Sequence, residues 1–494
     1  MGWGTSLRWS DDSGVARVVG RGEGCGVMMS TGGAWVWAWV LLLLQWGLLP
    51  HLLSQRTKSP NGTLAWLWAI LLFPGIGGVL YLLIGTEKVK RRRLAAVAAL
   101  DQEVFLAEVE PPPDLLRRLP ELAKINGRPA TGGNEADLLP DGTSFFPVLL
   151  DVIESAREHV HVEFYIWRAD RAGEMVRDAL VRAARRGVEV RVLVDEIGSL
   201  WTGRRFFGVL EAAGGKFSWF RTFAPLSGRF HLNLRNHRKL VIADGEVALT
   251  GGMNVGREYW GGGAEPPHSD LAVRLRGAVV AQLAEVFAED WLFATGEALT
   301  AAVFHPRPEH CGSVGVQVVP GGPDNDLNEI QLSTLALVQR AERRVWMMTP
   351  YFVPEPPLVA ALQLAAMRGV DVRVMVPEKG DHGYLTHVTR AYFEDLLPYG
   401  VRIFRYRPRL LHAKMLAVDG GAVMVGSANL DIRSLQINFE LNVLLDCAKT
   451  TEAAERLFVR NEGDAVEVTV AGHRGRSGWQ RIAEAVCRPL APLL

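Results

Sequence analysis

His237 and Lys239 stand two residues apart in "NHRKLVIADG", and His412 and Lys414 repeat that spacing in "LHAKMLAVDG", 175 residues later. Counted from each histidine, aspartate falls at +7 (Asp244, Asp419), glycine at +14 (Gly251, Gly426) and asparagine at +17 (Asn254, Asn429). On a strand, an i, i+2 pair shares one face, so each histidine points the same way as its lysine. Two imidazoles in one site can divide a phosphoryl displacement between them. One attacks phosphorus while the other protonates the leaving oxygen, and the acid and base roles then reverse for the second step. Lysine ammonium groups and the amides of Asn254 and Asn429 are suited to hold the non-bridging oxygens and the charge that develops there. Such a centre needs no metal and no other cofactor. One isolated HxK is commonplace, and the matched second copy is what makes the pattern chemical.

The flanking residues say how these groups are positioned. The apolar runs after Lys239 and Lys414 read as strands, and Asp244-Gly245 and Asp419-Gly420 read as hairpin turns. A return strand then carries each asparagine back towards its histidine. Asp244 and Asp419 belong to the catalytic motif, but their odd offset and turn position suit support better than reaction. A second repeat confirms the duplication. "ALVRAARRGVEVRVLVDE" (179–196) and "LQLAAMRGVDVRVMVPE" (362–378) each read as an amphipathic helix stopped by a glycine, then a valine-alternating strand. Each is preceded by another helix and strand, so crossover units in a mixed sheet covered by helices are expected.

Composition limits the alternatives. Lys+Arg and Asp+Glu both number 54, so no global basic field argues for nucleic acid as a partner. Cys25, Cys311, Cys447 and Cys487 are scattered, without the spacing of a disulfide framework or a zinc site, which fits a reducing compartment. Apolar residues concentrate in 34–53 and 64–85, each about the roughly 20 residues that a membrane-spanning helix needs. The second stretch ends in "EKVKRRR", so a hairpin with both ends and the catalytic portion on the cytoplasmic side is expected. The glycine-rich residues before it read as a disordered leader. "DNDLNE" (324–329) lacks the glycine and closing glutamate of a calcium loop and suits a helix-capping loop. His305, His310 and Cys311 have no fourth ligand nearby in sequence. His387 reads as a helix-surface residue, and Tyr165 and Tyr351 as core or pocket-wall aromatics.

The blocks "HRKLVIAD" and "HAKMLAVD" resemble the HxK(x)4D hallmark of the phospholipase D superfamily, and more narrowly the bacterial cardiolipin synthases. "GGMNVGREY", "TPYFVPE", "GPDND" and "GSANLDIRSLQINFE" agree, and the likeness runs from about Ala34 to the C-terminus. The resemblance implies two duplicated α/β/α sandwich domains, with mixed sheets flanked by helices, after a transmembrane hairpin. The expected boundaries are a leader over 1–33, the hairpin and basic segment over 34–93, a linker over 94–140, and domains over 141–312 and 313–494. It also implies transfer of a phosphatidyl group between two phosphatidylglycerol molecules in a bacterial inner membrane, through a phosphatidyl-histidine. His237 is assigned as nucleophile and His412 as general acid/base, although the near-symmetry is compatible with the reverse. Ser427, which stands where the first copy has Gly252, is expected to add a hydroxyl to phosphate binding. Superfamily members place a histidine-orienting carboxylate where Asp270 and Glu440 open strands, 33 and 28 positions beyond the two histidines. The alternative activity uses water, phosphatidylethanolamine or another alcohol as acceptor. The sequence carries no signal of oligomeric state.

Overall fold

The computed structural model describes residues 46–54, 60–73, 75–85, 116 and 119–489, apart from 222, 225–228, 231–232, 263–265, 300–309, 326 and 382. The expected leader, most of the first apolar stretch, the basic cluster after the second, and His305 lie outside them. The chain divides into two compact units, Met1–Gly85 and Thr86–Leu494.

In the first unit the second apolar stretch is not one continuous α-helix. A helix over Pro60–Leu72 is followed by a break in which Gly75 takes φ 79°, then by Ile76–Leu80 and a π-turn over Tyr81–Gly85. No helix among the described residues is long and apolar enough to cross a membrane. A small seam holds the unit together, where Leu52, Ile70 and Tyr81 are buried and His51 Nδ1 lies 2.8 Å from the Tyr81 hydroxyl. Gly77 is required by backbone proximity, because a Cβ there would lie 2.0 Å from the carbonyl oxygen of Ala69. The outer surface stays apolar, with Trp46, Trp68, Phe73 and Ile76 all exposed.

The second unit is built on one mixed sheet of fifteen strands among the described residues. Its strand order runs through the same topology twice. The first half contributes Thr131–Pro140, then Leu271–Arg276, Val247–Gly251, Leu240–Ala243, His159–Phe164, Glu189–Asp195 and Lys216–Phe220. The second half repeats this outward from Val314–Gly321 and adds Ala465–Val468 at its edge. In each half three strands are parallel, joined by helices such as Arg171–Arg185 and Pro356–Met367, and the others are antiparallel. The helix-stopping glycines act as their positions foretell. Gly187 (φ 93°) and Gly369 (φ 88°) take the left-handed conformation, and the next amides, Val188 and Val370, reach back to the carbonyls of Ala183 and Ala365.

The two copies do not stand apart as separate compact units. Thr131–Pro140, expected to be linker, is a strand that pairs antiparallel with Val314–Gly321, so the sheet is continuous across the duplication. One apolar core also spans both halves, including Phe287 and Trp291 of the helix Val279–Thr295 and Leu457 and Phe458 of the helix Ala448–Glu462.

The hairpin turns form as expected, with positive φ at both central residues: Asp244 (53°) and Gly245 (65°), Asp419 (55°) and Gly420 (71°). Each aspartate carboxylate accepts three backbone amides. Asp244 takes those of Arg157, Glu158 and His159 at 2.8–2.9 Å, and Asp419 those of Glu342, Arg343 and Arg344 at 2.8–2.9 Å. These amides open the strands His159–Phe164 and Arg344–Met348, which lead directly to Tyr165 and Tyr351. Asp244→Ala should therefore destabilise the protein by about 2–4 kcal/mol, from three lost charge-assisted bonds and a strained left-handed alanine. Thermal unfolding checks this, and Asp244→Asn, which tolerates that conformation, should cost less.

Candidate active site

The two HxK segments meet because each is paired with the other half. Asn236 forms a parallel bridge with Phe439, and the His237 amide donates to the Phe439 carbonyl at 2.8 Å. Reciprocally, Ser269 bridges Leu411, and the His412 amide donates to the Ser269 carbonyl at 2.7 Å. Phe439 and Ser269 immediately precede Glu440 and Asp270. Each carboxylate is thereby delivered to the histidine of the opposite copy: His237 Nδ1 lies 2.9 Å from Glu440 Oε2, and His412 Nδ1 lies 2.6 Å from Asp270 Oδ2. The pairing is therefore crosswise between the copies.

The two orienting devices differ in detail and compensate. Ser427 donates its hydroxyl to Glu440 Oε2 at 2.5 Å and accepts the Leu441 amide at 2.9 Å. In the other copy, Asp270 Oδ1 itself accepts the amide of Leu271 at 2.7 Å. Gly252, the counterpart of Ser427, leaves room for that carboxylate, since a Cβ there would lie 2.2 Å from Asp270 Oδ1. Asp with Gly and Glu with Ser are thus two solutions to one geometry. The Ser427 hydroxyl is engaged with a carboxylate rather than presented as the phosphate ligand expected from sequence.

Lys239 and Lys414 are buried, and each ammonium donates to the carbonyl of its own histidine. Lys414 Nζ also lies 2.8 and 3.0 Å from the two ring nitrogens of His412. Arg238, between His237 and Lys239, projects to the opposite face, where it meets Asp290 at 2.7 Å and the carbonyls of Glu440 and Gly321. Asn254 is saturated within the protein, accepting from the Ile166 amide and donating to the Tyr259 hydroxyl, both at 3.0 Å. Asn429 Oδ1 is buried with no hydrogen-bond partner. Asp244 and Asp419 bind strand-opening amides, as described above, and are not among the residues lining the cavity.

Both histidines, Asn254 and Asn429 line one cavity of about 740 Å³. Tyr165 packs edge-on to His237, with ring centroids 4.8 Å apart, and Tyr259 does the same for His412 at 5.4 Å. Burial dominates the electrostatics. It depresses His237 to about 4, helped by Lys239 and Lys414 and opposed by Glu440, and it pushes His412 well below its ordinary value. It lowers Lys239 to about 7 and Lys414 to about 8, and raises Asp270 to about 6. For Glu440, burial acts to raise the pKa, but His237, Lys239 and the Ser427 hydroxyl outweigh it and hold the carboxyl low.

Sequence reasoning passed over how strongly the duplication is broken by charge. At +21 from the histidines stand Glu258 and Arg433, of opposite sign, and both line the cavity. Glu258 pairs with Arg168 at 3.2 Å, while Arg433 is held by the side chain and carbonyl of Asn233. Arg433 and Arg235 act electrostatically on Tyr165, the neighbour of His237, whereas Glu258 and Asp381 act on Tyr259 and His268 beside His412. Tyr351 donates to Asp381 at 2.6 Å. The two ends of the cavity thus differ in charge at this repeat position, although Asp195 and Glu440 also act on Tyr165 and Lys414 also acts on His268, and the difference is legible in the +21 offset once the repeat is aligned.

Residues 149–291 and 334–461 match the family described as "Cardiolipin synthase, PLD-like domain". A cardiolipin synthase of Geobacillus thermodenitrificans is 34% identical over 462 residues, covering 90% of this chain and 91% of that protein. The major cardiolipin synthase ClsA of Bacillus subtilis is 33% identical over 460 residues, covering 89% and 95%. Among solved structures, phosphatidylserine synthase of Haemophilus influenzae shares the fold, with a TM-score of 0.55 and 15% identity over 72% of this chain and 93% of that one. With two histidines aligned across one cavity and this likeness over nearly its whole length, the chain belongs to the phospholipase D-like cardiolipin synthase family of phosphatidyltransferases.

Proposed function

We propose that the chain transfers a phosphatidyl group from one phosphatidylglycerol to a hydroxyl of a second, releasing glycerol. The observation that carries this reading is the pair of histidines, each oriented by the other copy's carboxylate, facing one cavity. His237 attacks the phosphorus of the first lipid, the bond to its glycerol oxygen breaks, and His412 gives that oxygen a proton. A hydroxyl of the second lipid then loses its proton to His412 and attacks the phosphatidyl-histidine, which restores His237. Lys239, Lys414 and Asn429 hold the phosphoryl oxygens. Asn254 fixes the strand beside them, and Asp270, Glu440 and Ser427 keep the imidazoles aligned. Asp244 and Asp419 anchor the strands that frame the cavity.

The groups around each histidine suit its role in this reading. Burial, with Lys239 and Lys414, disfavours an imidazolium at His237 and suits a neutral nucleophile facing an anionic phosphate. Asp270, 2.6 Å from His412 Nδ1, is the carboxylate placed to stabilise the imidazolium formed during proton transfer, against burial and Lys414, which lower the pKa of His412. Residues 34–93 form the membrane anchor in this reading, with the catalytic unit at the cytoplasmic face. The exposed apolar surface of 46–85 and the basic residues 88–93 support that placement.

Reconstituted in phosphatidylglycerol vesicles, the parent protein should yield cardiolipin and glycerol by mass spectrometry, and His237→Ala or His412→Ala should lose at least about 10³-fold in rate. Phosphatidic acid as the sole product would mean hydrolysis instead. Glu440→Gln and Asp270→Asn should each lower kcat by about 10²-fold or more, through misoriented imidazoles. The pH profile of kcat/KM should be bell-shaped. The rate rises as His237 and then Asp270 deprotonate, from about 4 to about 6, and falls as the His412 imidazolium that supplies the proton, and then Lys239 and Lys414 near 7 to 8, lose theirs.

A further inference from the structure

The strands on the outer part of each half are parallel, so the segments leaving their carboxyl ends gather on the same side as the cavity wall they supply. In the first half, residues 196–202 follow the strand Glu189–Asp195 and lie directly behind the wall. Gly198 packs on Tyr165, and Ser199 bonds to the Tyr165 carbonyl and the Trp167 amide. Their outer side chains nevertheless face solvent: Leu200 is 61% exposed and Trp201 is 83% exposed. In the second half, the helix Gly383–Ala391 follows the strand Asp371–Pro377 and supplies Tyr384 and Leu385 to the cavity. Against it packs the helix Gly478–Cys487, whose inward side includes buried Glu484, tied to Arg476 at 2.7 Å. That helix, too, turns apolar residues outward. Trp479, Ile482 and Val486, at i, i+3 and i+7 on one helical face, are 80%, 55% and 65% exposed.

Both exposed tryptophan patches thus back onto the walls of the same cavity, one from each copy, and neither has a protein partner in the described chain. Their charge indicates what covers them. Residues 470–489 carry Arg474 and Arg481 beside Arg476 and Arg488, which pair with Glu394, Glu484 and Asp395, and the first patch is followed by Arg205 and by Arg204, which pairs with Glu211. Apolar anchors with tryptophan, edged by arginine, are the composition of an element that lies in the interface of an anionic bilayer. The Ser477–Gln480 capping box fixes the start of the C-terminal helix, so its apolar face is preformed.

We propose that these two patches, Leu200-Trp201 and Trp479/Ile482/Val486, form a second membrane contact that seats the mouth of the cavity on an anionic lipid surface. Lipid headgroups then reach the histidines while the acyl chains stay in the bilayer. The inference rests on the lipid substrate class of the proposed function, and it is independent of the N-terminal apolar segment.

The test compares the full-length protein with Trp479→Ser/Ile482→Ser/Val486→Ser and with Arg474→Glu/Arg481→Glu on two substrates. These are phosphatidylglycerol in vesicles and a short-chain phosphatidylglycerol dispersed as monomers. Both variants should lose about tenfold or more of the vesicle rate while keeping the monomer rate within about twofold. The deficit of the arginine variant should shrink as salt is raised. Unchanged vesicle rates, or equal losses on both substrates, would overturn the proposal. So would a parent protein that loses a subunit on serine substitution, as read by light scattering in detergent, because the face would then cover a second copy. Failure of the parent on both substrates would count against the phosphatidyl-transfer reading itself.

Discussion

The site depends on one constraint: each motif histidine is hydrogen-bonded to a carboxylate from the other copy of the duplicated fold. The contacts are short, at 2.9 Å for His237 with Glu440 and 2.6 Å for His412 with Asp270, and all four side chains are buried. Buried groups of this kind are tolerated only when partnered. The parallel bridges between Asn236 and Phe439 and between Ser269 and Leu411 hold backbone and side chains in the same register. Neither half could align its own imidazole alone. The continuous sheet and the shared apolar core therefore serve the chemistry directly, by fixing the distance between two half-sites.

Duplication makes the frame, and divergence within it makes the two half-sites unequal. Asp270 with Gly252 and Glu440 with Ser427 are equivalent in geometry, yet Asp270 is raised to about 6 while Glu440 is held low. Glu258 and Arg433 occupy one repeat position with opposite charge. In the proposed reading, one imidazole attacks phosphorus and the other carries the proton. Burial contributes to both, because a neutral imidazole and partly neutralised lysines respond sharply when an anionic phosphate enters.

Much of this was legible in the residues themselves. The i, i+2 spacing, the Asp-Gly turns with positive φ at both residues, and Gly187 and Gly369 as helix stops all act through local backbone preferences, which sequence records well. The crosswise pairing was not legible, because spacing along the chain says nothing about which half a carboxylate faces. Ser427 was read as a phosphate ligand because it is polar and adjacent to the motif, and its engagement with Glu440 follows only from the strand register. Thr131–Pro140 contains two glycines and a proline and reads as linker, but pairing on both edges makes it a central strand. The apolar length of 64–85 was plain, while its division at 73–75 reflects the positive φ of Gly75, which a length count does not register.

The central claim is that the proposed reaction passes through a covalent intermediate on His237. Rapid quenching with a phosphatidyl donor bearing an activated leaving group, followed by peptide mapping under alkaline conditions, locates that adduct. The account predicts a phosphatidyl group on His237, accumulating in His412→Ala because the activated leaving group departs without a proton while the second step lacks its base. An adduct on His412 in the parent protein, or none on either histidine, would contradict it.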